Sequence, residues 1–257
     1  MLISSNINSK KVLLILVGQM RTAKYLYNDI LSAFSKLNPT VVISTWEDDN
    51  VSIDKLVNYY NPAYIDIEKY HKSLTFSEVG PECWVDDFAI EAESTRAMWY
   101  KFGRCVNIVK ELEENSGVKF ETIVKFRVDI MLLSKVSIKK SDGYIFFENT
   151  GSDVRFQRSD RFFYGDRDLM LSIFREICPY TKNRWSVNQS HVGHQLLPVG
   201  ERVFKQFIEY KAIKARFFFP AVKIWRFERY PNTWDKLSVH LNRAKRYFKR
   251  VVLRFDY

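Results

Sequence analysis

The chain has 257 residues, 46% of them hydrophobic and 16% aromatic, with nine Gly and seven Pro; this composition excludes a disordered chain and suits one large domain, or one domain with an appendage. The net charge of +10 is unevenly spread: residues 1–150 hold 18 basic and 20 acidic side chains, residues 151–257 hold 22 and 10. The basicity of the C-terminal part points to an anionic partner such as a membrane surface, nucleic acid or a phosphorylated substrate.

Cys83, Cys105 and Cys178 stand far apart with no paired short motif, so neither a zinc site nor a disulfide framework is expected, and reduced thiols fit a cytoplasmic protein. Lys10 and Lys11 before an apolar run have the outline of a signal peptide, but Gln19 and Arg21 end that run at once. No other stretch is long and uncharged enough to span a bilayer, so any membrane association is expected to be peripheral. The aromatic richness suits a sugar-binding cleft and equally a well-packed core.

In chain order, residues 11–17 form a continuous aliphatic run ending at Gly18, which predicts a central parallel strand covered on both faces. Ala23, Leu26, Ile30, Ala33, Phe34 and Leu37 then fall at helical spacing until Asn38-Pro39 breaks the pattern. Residues 40–46 predict a second strand, completing a β-α-β unit, and the acidic Glu47-Asp48-Asp49 a solvated loop. A short helix over 53–60 and a strand over 63–67 repeat the alternation, and 71–87 reads as an irregular loop. Met98, Phe102, Cys105, Val109 and Leu112 mark a longer helix, which Asn115-Ser116-Gly117 ends.

The next segment, 121–133, reads as one strand with charges inside it. Alternation puts Lys125, Arg127 and Asp129 on one face and Val124, Phe126, Val128 and Ile130 on the other. An unpaired buried ion costs several kcal/mol, so this cluster is paired, solvated or bound to a ligand. An edge strand with an Arg–Asp salt bridge accounts for it as well as a site does. A strand over 143–148 follows, so the first 150 residues predict an α/β fold, an open, mostly parallel sheet with helices on both faces. Further on come a strand and turn over 160–166, helices over 167–177 and 202–210, and strands over 215–219 and 222–227 around Pro220. The expected organisation is one domain over about 1–230, with halves over about 1–150 and 151–230, and a C-terminal helix over 231–257.

That tail carries an apolar stripe at Leu237, Leu241, Ala244, Phe248, Val251 and Phe255, with Lys236, Arg243, Lys245, Arg246, Lys249, Arg250 and Arg254 opposite. Such a helix either lies on an anionic membrane or packs its stripe on the main domain. Nucleic acid is the competing use of the charge, but no recognised DNA- or RNA-binding motif accompanies it.

Ligands of open α/β sheets bind beyond the carboxyl ends of the strands. There the sequence sets Gly18-Gln19-Met20-Arg21-Thr22 at a helix start, where backbone N–H groups, Arg21 and the Thr22 hydroxyl could hold a phosphate. Ser44-Thr45-Trp46 and Arg127-Val128-Asp129 end two other strands. There is no Gly-rich dinucleotide fingerprint and no Walker loop, which argues against NAD enzymes and P-loop NTPases. Asp160 and Asp166 flank Phe162-Phe163-Tyr164; either could serve as a carboxylate general base, or be ordinary turn chemistry. Glu201 is a weaker candidate base.

Gly18-Gln19-Met20-Arg21-Thr22, the Ile-Ser-Thr-Trp strand end, Met98-Trp99-Tyr100-Lys101, Ile-Val-Lys-Phe-Arg-Val-Asp and the segment from Asp160 to Asp166 together resemble the WavE-type lipopolysaccharide and capsule glycosyltransferases, over about residues 11–200. The resemblance implies a GT-A-like fold, a nucleotide-sugar donor and a glycan acceptor at the bacterial surface. It implies donor contacts at Gly18, Gln19, Arg21, Thr22, Thr45, Trp46, Arg127 and Asp129. Arg127-Val128-Asp129 stands where such enzymes carry Asp-x-Asp, so either Asp129 still helps bind Mn²⁺ or Mg²⁺, with His194 or His191 nearby, or it binds the donor ribose, or Arg127 supplies the positive charge itself.

Overall fold

The computed structural model describes residues 11–20, 22–47, 52–71, 89–132, 134–148, 160–187, 200–218 and 222–224. Arg21, His191, His194, most of the 71–87 segment and the basic stripe of 236–254 lie outside them.

Strand β1 (Val12–Val17) is the centre of the molecule. Leu13, Ile15 and Val17 enter one core and Leu14 and Leu16 the other, which is why the run is aliphatic without alternation. Helix α1 (Ala23–Phe34) buries Ala23, Leu26, Ile30, Ala33 and Phe34. Strand β2 (Thr40–Trp46) leads to α2 (Ile53–Tyr60), whose start is capped by Ser52 Oγ accepting from the Lys55 N–H at 3.4 Å. Its end is closed by Asn61 at φ 42°, whose N–H donates to the Val57 carbonyl. After β3 (Tyr64–Glu68) comes α3 (Ala89–Ser116), which stops where Gly117 takes φ 67° and donates its N–H to Glu113.

The remaining elements are β4 (Thr122–Phe126), β5 (Ile130–Leu132), β6 (Ile145–Glu148), β7 (Phe162–Asp166), α4 (Arg167–Val187), α5 (Gly200–Tyr210), β8 (Ala215–Phe218) and β9 (Val222–Ile224). Seven strands form one open sheet in the order β3-β2-β1-β4-β7-β6-β8. The β3/β2, β2/β1, β1/β4 and β6/β8 pairs are parallel, and β7 runs antiparallel to β4 and β6 on either side of it. The fold is therefore the expected open, mostly parallel α/β sheet. Trp99 and Phe102 of α3, Phe174 and Ile177 of α4, and Phe204 and Phe207 of α5 cover one face. Leu26 and Ile30 of α1, Leu56 and Tyr60 of α2, and the small β5–β9 ribbon cover the other. Because β7 lies between β4 and β6, the sheet is continuous across residue 150.

Two elements differ from expectation. The 121–133 strand is interrupted: β4 ends at Phe126, the chain turns through 127–129, and β5 restarts outside the main sheet. The turn is set by a partner distant in sequence, the Arg127 N–H donating to the Arg161 carbonyl at 3.0 Å, and closed locally by the Ile130 N–H donating back to the Arg127 carbonyl. Lys125 consequently does not share an open charged face with Arg127 and Asp129; it is buried under α3 and α4. Helix α4 also runs past Pro179 rather than stopping at 177. The proline removes one N–H, but Ile177, Cys178, Tyr180 and Thr181 on either side are buried, and that packing outweighs the lost bond.

Candidate functional site

Strand directions decide which side chains can meet. The carboxyl ends of β1, β2, β3 and β4 share one edge of the sheet, and so do the end of β6 and the start of β7, since β7 runs the other way.

Gly18, just past β1, holds φ 118° and donates its N–H to the Ser44 carbonyl. A side chain there would be strained, and its Cβ would stand 3.8 Å from Cγ of Arg127, so Arg127 runs alongside the turn that opens α1. Thr22, buried at the start of α1, donates its hydroxyl to the Val128 carbonyl at 3.0 Å. Gln19 between them is exposed. The structure thus brings Gly18, Thr22, Arg127 and Asp129 together.

Arg127 and Asp129 form a two-point ion pair, Nε to Oδ1 at 2.8 Å and Nη2 to Oδ2 at 2.6 Å. Their side chains are 28% and 16% exposed, so the pair opens onto the edge. Burial pushes the Asp129 carboxyl upward, but the hydrogen bonds and charge of Arg127, with Lys125 behind, outweigh it and hold the pKa below the usual carboxylate value.

Behind the pair lies Lys125. Its ammonium donates to the Asp160 carbonyl oxygen and sits 5.0 Å and 5.7 Å from the ring centres of Phe102 and Phe163. Burial pushes its pKa down to about 7, with Arg127 adding to the depression and Asp160, Asp129 and Glu148 opposing it. Asp160, at the start of β7, is buried, and its Oδ1 has no hydrogen-bond partner among the described residues. Glu148, at the end of β6, is fully buried and pairs with Arg161 at 2.8 Å. Three carboxylates, Asp129, Glu148 and Asp160, therefore gather at one edge with three cations, Lys125, Arg127 and Arg161. Glu148 and Arg161 were not among the site residues expected from sequence; the signal was a carboxylate closing the apolar run Ile145-Phe146-Phe147.

Asp166 is not part of this cluster. It lies at the far end of β7, in register with Thr122 at the amino end of β4, and its Oδ2 accepts from the Gly143 N–H at 2.7 Å. Six extended residue steps separate Asp160 from Asp166, about 20 Å. Glu201 falls on α5.

Thr45 and Trp46 reach the same edge on β2 but are buried. Trp46 stacks on Tyr100 at 5.4 Å, meets Tyr70 edge-on, and has the Lys101 ammonium 4.4 Å from its ring centre. Lys101 bridges Asp66 at 3.0 Å and Glu68 at 2.7 Å, and Asp66 also accepts from Ser44 Oγ and Arg104. Burial pushes Asp66 up, but these cationic and hydroxyl partners bring its net pKa below the usual value. The Ser44 carbonyl links this network back to Gly18. A cavity of about 190 Å³ beside this network runs along β3, lined by Ile53, Tyr64, Ile65, Asp66, Ile67 and Arg104.

Among the described residues, the donor set at this edge does not fit a divalent metal. Both Asp129 oxygens are held by Arg127, whose charge opposes a second cation. Among the described residues no three His, Cys, Asp or Glu side chains stand close enough to bind one.

The chain is similar in structure to a glycosyltransferase. That protein's crystal structure is described as one involved in the glycosylation of the major capsid of PBCV-1, and the match has 10% sequence identity and a TM-score of 0.39 over 81% of this chain and 83% of the other. No family model matches the sequence, so the WavE-type resemblance stands on its short motifs, and no curated protein matches it either. Among the described residues no helix is long and apolar enough to cross a membrane.

Proposed function

We propose that the chain is a GT-A-like glycosyltransferase that moves a sugar from a nucleotide-sugar donor onto a lipopolysaccharide O-antigen, core or capsule acceptor. The observation that carries this reading is the Arg127–Asp129 pair lying beside Gly18 and the start of α1, at the edge where parallel sheets bind ligands. A guanidinium fixed by a carboxylate at this edge is suited to the phosphates of such a donor.

In the transfer, the acceptor oxygen bonds to the anomeric carbon while the bond from that carbon to the diphosphate oxygen breaks. The bonding pair leaves with the diphosphate, and the acceptor proton passes to a carboxylate. Asp160 is the better candidate of the two aspartates for that base, because it lies on the same edge as Arg127 and its Oδ1 is uncommitted among the described residues. In this reading Arg127 stabilises the charge that develops on the leaving diphosphate.

The basic stripe of 236–254 supports a peripheral position on the inner face of the cytoplasmic membrane, beside a lipid-linked acceptor. The competing reading is a non-catalytic basic module binding nucleic acid or acidic lipid, favoured only by the charge of the C-terminal part. Calorimetric titration with UDP-, GDP-, CMP- and dTDP-sugars separates the two. The transferase reading expects one of them to bind. Sequence-independent binding to duplex DNA at physiological salt, with no nucleotide sugar bound, would support the basic module.

A further inference from the structure

Asp-x-Asp sites place two carboxylates toward a metal that bridges the donor phosphates. Here the first carboxylate is replaced by the Arg127 guanidinium, and the second is occupied by it. We infer that Arg127, fixed by Asp129, neutralises the diphosphate directly and that nucleotide binding at this edge needs no divalent cation; this rests on the transferase reading above.

Three observations carry the inference. First, the two-point pair points the guanidinium in one direction, and Arg127 still has part of its side chain exposed at the edge. A planar guanidinium presents donors in the fork geometry that phosphate oxygens accept. Secondly, the turn that holds the pair is anchored on both sides, by Thr22 to Val128 and by the Arg127 N–H to Arg161. The cation is therefore built in rather than borne on a loose surface side chain. Thirdly, both carboxylate oxygens of Asp129 are already taken by the guanidinium. A divalent ion bound to Asp129 would stand against the guanidinium paired with it, whereas a diphosphate meets a charge of opposite sign.

Asp129 is on this account a positioning residue: it holds the guanidinium that touches the phosphates. The test is calorimetric titration of the full chain with UDP, GDP, ADP and dTDP, once in EDTA and once in Mn²⁺. The expected result is one nucleotide whose Kd in EDTA lies within about twofold of its Kd in Mn²⁺. Arg127→Gln should weaken that binding by about tenfold or more in both media, the loss expected for a hydrogen bond between charged groups. Asp129→Asn should weaken it by less, again equally in both media. Thermal melts of the variants separate loss of binding from loss of fold, and the EDTA comparison on the unaltered protein needs no variant. Binding that appears only with Mn²⁺ and is lost more in Asp129→Asn than in Arg127→Gln would overturn the inference while leaving the transferase reading intact. Absence of binding to every nucleotide in both media would overturn both.

Discussion

The hydroxyl of Thr22, in the first turn after β1, donates to the carbonyl of Val128, in the turn after β4, across 106 positions of sequence. Both partners are buried, so removing the donor leaves a carbonyl unsatisfied. Thr22→Val keeps the shape and deletes only the bond, and should destabilise the protein by about 1–3 kcal/mol in denaturant unfolding. Because the same bond sets the turn bearing Arg127 and Asp129, nucleotide affinity should fall with it. Unchanged stability and affinity would mean that the turn is held by other contacts.

Lys125 gives stability a pH dependence with a definite sign. Its pKa falls from 10.5 to about 7 on folding because it is buried. Below about pH 7 the lysine is charged in both states and the full penalty of burying the ion applies. Between there and 10.5 the unfolded chain binds more protons than the folded one, so this contribution to stability rises with pH. Lys125→Met removes it. The variant should gain about 1–4 kcal/mol relative to wild type near pH 7, a gain that shrinks toward pH 10. Urea unfolding of both proteins across that range measures the difference; a gap that stays constant with pH would contradict a lysine buried at the cost of its charge.

Asp160 and Asp166 are separated by the length of β7, and their substitutions should separate as cleanly. Asp160→Asn should lower transfer by at least about a hundredfold, as loss of a general base does. Asp166→Asn replaces the charged acceptor of the Gly143 N–H with a neutral amide oxygen and should cost about 1 kcal/mol of stability with turnover nearly unchanged. Equal losses of transfer in the two variants, in well-folded protein, would refute the assignment of the base to the Arg127 edge.

The basic stripe of 236–254 predicts salt-sensitive attachment to anionic vesicles, with each cation near the surface contributing on the order of 1 kcal/mol. Deleting the residues after Trp234 should release the protein from such vesicles and slow transfer to lipid-linked acceptors more than to short soluble ones. Vesicle binding that survives the deletion, or ignores ionic strength, would assign the stripe to packing.

The strands and helices of the first half were legible because their burial is written in local pattern. The run from Val12 to Val17 can only be a strand with a core on both faces, and Asn38-Pro39 and Gly117 mark ends by backbone chemistry alone. The interruption after Phe126 was not legible, since Arg127-Val128-Asp129-Ile130 continues the alternation and its turn is imposed by Thr22 and Arg161 from elsewhere in the chain. The insertion of β7 between β4 and β6 is likewise a long-range pairing that no local signal encodes. That insertion is what carries Asp160 to the site edge and Asp166 away from it, so two residues equivalent in sequence are unequal in space. Glu148 went unremarked for a related reason: a lone Glu closing a strand reads as solvated until Arg161, thirteen positions on, is found against it. Gly18, Thr22, Arg127 and Asp129 were legible as strand-end residues, and the pairing of Arg127 with Asp129 was one of the readings their spacing allowed.

The most direct measurement is a crystal structure of the full chain soaked with the nucleotide sugar that calorimetry selects. The account predicts the diphosphate within hydrogen-bond distance of the Arg127 guanidinium, beside Gly18 and the first turn of α1, with Asp129 still holding Arg127 and with the sugar on the side of Asp160. A diphosphate found elsewhere on the molecule, or one bridged to Asp129 by a metal with Arg127 turned away, would contradict it.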